Sequence, residues 1–354
     1  MTRRTAVIVA VLLLAACTGG GPAPPGSGSP SEPVTVTLLT HDSFDVSKRV
    51  VQAFERESGT DLRIVPAGDA GQLVNRAILT AGNPEGDVLF GVDDNLLPKA
   101  VAAGVFEPYA SPALERVDDA FELDDTGSVT PVDHGDVCLN VDLGWFSDRD
   151  LDPPTAIDDL VDPRYRGLTV VENPATSTPG LAFVLATIAR FGDDGWQGYW
   201  RDLRANDVLV VDGWEQAYFG EFSGAGGGEG ERPIVVSYAT SPVAEVVFAE
   251  ERLDEAPTAA VTDSCYRQVE FAGVLAGTEH PEEARQVIDF LLSRPFQEDV
   301  PLRMFVFPVA DDARLPAEFA RWAMEPASPL ALPPGQVEAE RDAWVETWTD
   351  LMFG

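Results

Sequence analysis

Few residues in this chain have the type and spacing that catalysis or metal binding requires. Its three histidines, His41, His134 and His280, form no His-Glu-x-x-His pair and no cysteine–histidine spacing of a metal site. No Gly-x-Ser-x-Gly elbow offers a serine nucleophile. The run from Gly220 to Gly230 neither ends in Gly-Lys-Ser/Thr nor follows a strand as Gly-x-Gly-x-x-Gly, so it reads as a surface excursion and not a phosphate cradle. Acidic pairs are abundant, but at this composition they arise by chance. Two sets remain. Cys138 and Cys265 either pair as a disulfide or leave one thiol as a nucleophile. His41, Asp42, Ser43, Asp69 and Asp93 come just after predicted strands, and such positions gather at one rim of an α/β sheet, where ligands bind.

The elements that must position them follow from periodicity. Val34 to Leu39 reads as a strand, and Ser43 caps a helix carrying Phe44, Val50, Val51 and Phe54 until Gly59 stops it. Strands at Asp61–Val65 and Asp87–Val92 alternate with helices at Gly71–Ala81 and Leu96–Ala103. This alternation predicts a parallel α/β sheet. A second block begins after Asp133-His134-Gly135, with strands near Val137–Val141, Leu168–Val171, Val208–Val211 and Ile234–Tyr238 and a helix near Leu181–Phe191. Val269 to Leu275 is a further strand, and Pro281 opens an amphipathic helix reaching Ser293.

The 354 residues, 45% hydrophobic and 23% charged, suffice for one large or two medium domains with real cores. Twenty-four Lys and Arg against 59 Asp and Glu give a net charge of −35, which repels nucleic acid and anionic lipid and so excludes nucleic-acid partners. The acidity suits solubility, or attraction of a cationic ligand. At the N-terminus, Arg3 and Arg4 precede the apolar stretch Ala6–Ala16, which is too short to span a bilayer but suits a signal segment. Leu14-Ala15-Ala16-Cys17 resembles the lipobox of bacterial lipoproteins, which implies cleavage after residue 16, lipidation of Cys17 and a flexible linker over 17–33. The expected location is therefore extracytoplasmic, lipid-anchored to the outer face of the cell membrane. With Cys17 lipidated, an even pair of cysteines remains in an oxidising compartment, and a disulfide is its default state.

Several segments, in order, resemble the thiamine-binding proteins of bacterial ABC importers. They are Thr40-His41-Asp42-Ser43-Phe44, Gly91-Val92-Asp93-Asp94-Asn95-Leu96-Leu97 and Asn173-Pro174-Ala175-Thr176-Ser177-Thr178-Pro179-Gly180. Gly213-Trp214-Glu215-Gln216-Ala217-Tyr218, Ser237-Tyr238-Ala239-Thr240-Ser241-Pro242 and Arg341-Asp342-Ala343-Trp344 complete the set. The resemblance implies an α/β fold of two lobes, joined by hinge strands near Asp133–Val141 and Tyr266–Leu275, with the ligand in the interlobe cleft. The lobes would be 34–136 with 268–310, and 137–267 with 311–354. It further implies a monomeric, non-enzymatic binding protein with no cofactor, delivering thiamine or its phosphates to an ABC permease.

Residue by residue, the resemblance places the phosphate or hydroxyl end of the ligand near Asp69, Ala70, Ser177 and Thr178. The rings fall near Trp214, Tyr238, Ala239, Thr240 and Ser241, with Asp42, Asp93 and Asp133 close by. Thiamine joins a permanently cationic thiazolium to a flat aminopyrimidine, and an aromatic face attracts such a cation by roughly 0.5–2 kcal/mol. The chain departs from the family at His41 and His134, often tyrosine, and at Phe305, often tryptophan. A protonated histidine would repel the thiazolium. Two alternatives accompany this reading: a binding protein for another cation, polyamine or metal, and an enzyme like thiaminase I with Cys138 near the hinge as nucleophile.

Overall fold

The run Val34–Thr40 forms β1, whose Val36 and Leu38 are fully buried. This computed structural model describes residues 33–226 and 230–354. The expected signal segment, Cys17 and residues 18–32 of the linker lie outside the described residues, as do 227–229 of the glycine-rich run.

After β1 come α1 (Lys48–Ser58), β2 (Thr60–Pro66), α2 (Ala70–Leu79), β3 (Val88–Asp93) and α3 (Leu97–Ala102). The short β4 (Phe106–Glu107) leads to β5 (Thr130–Asp142), α4 (Leu143–Ser147), β6 (Thr169–Glu172), α5 (Thr178–Ala205) and β7 (Leu209–Val211). Then follow β8 (Ile234–Tyr238), α6 (Ser241–Val247), β9 (Thr258–Leu275), α7 (Pro281–Leu291), α8 (Arg294–Gln297), β10 (Phe307–Pro308), α9 (Ala317–Trp322) and α10 (Pro334–Phe353). Among the described residues, no helix is long and apolar enough to cross a membrane.

The main sheet runs β2-β1-β3-β9-β5-β8-β6-β7. Its two ends are parallel, as the alternation predicts: β1 pairs β2 and β3, and β6 pairs β7 and β8. The middle corrects that reading, because β9 is antiparallel to both β3 and β5, and β5 is antiparallel to β8. These two long strands join the ends directly, without the helical crossover that parallel neighbours need. The sheet is mixed, and the fold is the two-lobed α/β architecture.

The β5–β9 ladder breaks where Val137 pairs Tyr266 but Leu139 pairs Val261. Residues 262–265 bulge out opposite Cys138, and the Cys138–Cys265 disulfide ties the bulge down. The Ser264 hydroxyl fills the interrupted ladder, accepting from the Leu139 N–H at 2.8 Å and donating to the Val261 carbonyl at 2.6 Å.

One local expectation changes. The first helix starts after Ser47 and not at Ser43, because Ser47 is held by Asp299 and residues 43–45 turn aside to wall the cavity described below. It ends as expected at Gly59, which takes a left-handed φ of 75°. The helix predicted over Leu181–Phe191 stops where expected, because Gly192, at a φ of 67° and a ψ of 177°, breaks α5 into two helical stretches, the second running to Ala205.

Candidate functional site

Each parallel end of the sheet aims strand termini and helix starts at the same space. From the first end come the turn after β1 (His41 to Asp45) and the start of α2 (Asp69, Ala70); from the other come the start of α5 (Thr178, Pro179), the segment after β7 (Trp214 to Phe219) and α6. Glu270 of β9 and the loop Arg303–Val306 complete a cavity of about 460 Å³, within the range of small-molecule sites.

Close approach of the two ends shuts one side. The Asp69 carboxylate accepts from the Trp214 backbone N–H at 2.9 Å, and the Gln72 N–H donates to the Thr176 carbonyl at 3.1 Å. Gly71 permits this, since a side-chain carbon there would lie 2.6 Å from the Thr176 carbonyl oxygen. Burial pushes the Asp69 carboxyl up to about 6, partly offset by the Trp214 N–H and by the amides of Thr178 and Ala70.

The walls are aromatic. Trp214 stacks on Tyr218 with ring centroids 5.1 Å apart and meets Tyr238 edge-on at 6.3 Å. Its indole N–H donates to Ser237 at 2.9 Å, fixing the ring. The Tyr218 hydroxyl donates to Glu245 at 2.8 Å, and the Tyr238 hydroxyl donates to Gln268 at 3.0 Å. Phe44, Phe219, Phe248 and Phe305 add further faces. Phe305 holds a left-handed φ of 54°, a strained backbone for an aromatic residue, and its carbonyl accepts from Thr240.

The charge is one-sided. Among the described residues, Asp42, Asp45, Asp69, Glu215, Glu245 and Glu270 line the cavity against a single arginine, Arg303, which Asp45 already engages at 3.2 Å. Burial, then repulsion from Asp42, raises the Glu215 carboxyl above its usual range, so acids from both ends face one another across the mouth. His41 also lines the cavity, and burial lowers its ring to about 4, leaving it neutral near pH 7. Gly91, at a φ of 105°, leaves room for that ring, because a side-chain carbon would lie 2.6 Å from it.

The site residues expected from sequence divide into two groups. Asp42, Asp69, Ala70, Thr178, Trp214, Tyr238 and Ser241 line the cavity, as does Phe305. Asp93, Asp133, Ser177, Ala239 and Thr240 do not; all five are buried behind the wall. Ser241 is also occupied, accepting from the Tyr238 N–H at 3.1 Å and sharing a hydrogen bond with Ser237. His134 lies off the cavity, stacked between Phe121 and Phe307. Sequence reasoning missed Glu270, Glu245, Phe248 and Met304. Glu270 had a signal: a lone carboxylate inside the otherwise apolar strand Val269–Leu275 must be buried, and buried acids concentrate at sites.

Among the described residues no cluster suits a metal ion, and both described cysteines lie in the disulfide. An aromatic and acidic cavity between two sheet-centred lobes, spanned by two long strands, is the arrangement of a protein that captures a solute. The sequence model of bacterial extracellular solute-binding proteins matches residues 83–324, and the chain belongs to that family. It is 33% identical to the thiamine-binding periplasmic protein of Salmonella typhimurium over 88% of this chain and 92% of that one. Identity to the Escherichia coli thiamine-binding periplasmic protein is 32%, again over 88% and 92%. The solved structure of a periplasmic thiamin binding protein superposes with a TM-score of 0.79 at 29% identity, covering 94% of this chain and all of that one.

Proposed function

We propose that this chain captures thiamine, or a thiamine phosphate, outside the cytoplasm and hands it to an ABC permease, without chemical change. One observation carries the reading: six carboxylates and a box of aromatic faces surround the cavity, and its one arginine is already paired. That surrounding fits a flat organic cation. Aromatic faces attract the thiazolium and carboxylates balance its charge, while Thr178 at the start of α5 lines the cavity where a hydroxyl-bearing tail would lie. The named relatives support the same ligand. Cys138, which a thiaminase-like enzyme would need as a free thiol, is tied to Cys265, which favours binding over catalysis.

The lobes in this proposal are 34–136 with 268–310, and 137–267 with 311–354, meeting where the β5–β9 ladder breaks. Packing of α10 on α5, with Trp348 edge-on to Trp200 at 5.4 Å, supports placing the C-terminal segment in the second lobe. The protein acts as a monomer held to the membrane by a lipid on Cys17, a reading that rests on sequence alone. Fractionation tests it: wild type should sediment with membranes and Cys17→Ser should not.

Titration of thiamine, its phosphates, a polyamine and ferric ion, followed by tryptophan fluorescence and melting temperature, tests the ligand. Thiamine or a thiamine phosphate should quench or shift Trp214 emission and raise the melting temperature. A response to polyamine or iron alone refutes the reading.

A further inference from the structure

Three acids stand in one row across the middle of the sheet. Asp93 on β3 is the ladder partner of Glu270 on β9, and Glu270 is in turn the partner of Asp133 on β5. Directly paired residues project to the same face, so the three carboxyls are neighbours, and Glu270 alone reaches the cavity wall.

They are satisfied unequally. Asp93 accepts from the Leu96 N–H at 2.9 Å, from Asn95 Nδ2 at 2.9 Å and from Gln268 Nε2 at 3.2 Å. Asp133 is fully buried, and neither of its oxygens has a donor among the described residues. The nearest basic nitrogen to Glu270 is His41 Nε2 at 3.7 Å, itself without a partner. Two adjacent buried carboxyls without donors cannot both hold charge, and sharing a proton resolves the conflict.

We propose that the Asp133–Glu270 pair holds a proton in the ligand-free protein and releases it to solvent when a cation enters the cavity. Capture is then coupled to loss of one proton and tightens as pH rises. The proposal rests on the ligand being a cation such as thiamine.

The surroundings agree. Burial drives Asp133 up to about 7 although a hydrogen bond with Glu270 lowers it, and burial, then Asp133, drives Glu270 well above the usual range. His41 stays neutral above about 4, Tyr238 stays protonated, and Asp69 and Asp93 add negative potential that keeps the shared proton in place. Arg303 is engaged by Asp45. On the far edge of β5, β10 brings Phe307 and Pro308, which carry no charge. The Asp136–Arg267 ion pair and His134 alternate to the other face of the sheet. A thiazolium beside Glu270 supplies the countercharge the pair lacks, and its second carboxyl can then ionise.

Isothermal titration with thiamine hydrochloride in phosphate and in Tris buffers, which differ in ionisation enthalpy, counts the protons released. The expected count is near one for wild type, and Kd should tighten by up to about tenfold per pH unit between about pH 6 and 7. Glu270→Gln and Asp133→Asn should each flatten this dependence; the second variant leaves the cavity wall intact should the first fail to fold. Equal enthalpies in both buffers with a flat Kd overturn the proposal while leaving thiamine as ligand. Absence of thiamine binding at every pH overturns both.

Discussion

The Asp69 carboxylate and the Trp214 backbone N–H, 2.9 Å apart, join the start of α2 to the segment after β7 across the mouth of the cavity. The contact exists only when the two ends of the sheet are close, so it belongs to the closed state. A hydrogen bond to a charged group contributes about 1.5–3 kcal/mol. Asp69→Ala should therefore weaken ligand binding by roughly tenfold or more, and Asp69→Asn, which keeps an acceptor, should do less harm. Calorimetric titration of both variants checks the order; equal affinity in Asp69→Ala and wild type contradicts it.

Stability of the ligand-free protein should fall as pH rises from about 6.5 to 8. Burial pushes Asp133 up to about 7, and burial with repulsion from Asp93 pushes Asp94 up to about 8. An acid with a raised folded pKa binds more protons folded than unfolded, so stability falls with rising pH between its two pKa values. His41 and His134 are lowered by burial to about 4 and about 3, and they cost stability only as pH drops below their ordinary 6.5. Over the upper window the acids act unopposed. Scanning calorimetry at the two limits should give the lower melting temperature at pH 8, and a higher one there refutes the assignment.

Removing the disulfide should cost stability more than affinity. The bridge spans 127 residues of sequence, for which loop entropy gives up to about 4–5 kcal/mol. It sits at the ladder break, packed with Ala239 and Ala260, neither of which lines the cavity, so Cys138→Ser/Cys265→Ser should melt earlier and bind with nearly unchanged Kd. Denaturant unfolding with titration of the folded variant checks both halves; unchanged stability refutes the first.

Arg341 of α10 is buried, and its guanidinium donates to the Asn95 carbonyl at 2.6 Å beside the Asp93–Asp94 pair. Arg341→Met keeps the packing volume but removes the charge and the donor, and should destabilise the fold by about 2 kcal/mol. Chemical denaturation measures it, and unchanged stability contradicts it.

The parallel ends of the sheet were legible because β3, β6, β7 and β8 are short apolar runs and β1 and β2 alternate apolar with polar residues, all bounded by turn residues. The long middle strands were legible only in part. Polar residues, Asp133, His134 and Asp136 on β5 and Asp263, Ser264, Arg267 and Gln268 on β9, interrupt the apolar pattern, since these strands carry site and hinge groups as well as core. Asp42, Asp69, Trp214 and Tyr238 were placed at the cavity by position after strands and by resemblance. Asp93 and Asp133 were grouped with them, and they do share the face of Glu270, but both are fully buried beside it and stop short of the cavity. Glu245 on the short α6 and Phe248 just past its end have no motif of their own, and only tertiary packing brings them to the mouth.

Calorimetric titration of wild type and Trp214→Ala with thiamine tests the central claim most directly. The cavity geometry predicts a single-site isotherm with Kd of about micromolar or tighter for wild type, and a loss of about 2 kcal/mol or more in the variant, as expected for an aromatic anchor. No thiamine binding to wild type at millimolar concentration, or equal binding by the variant, contradicts it.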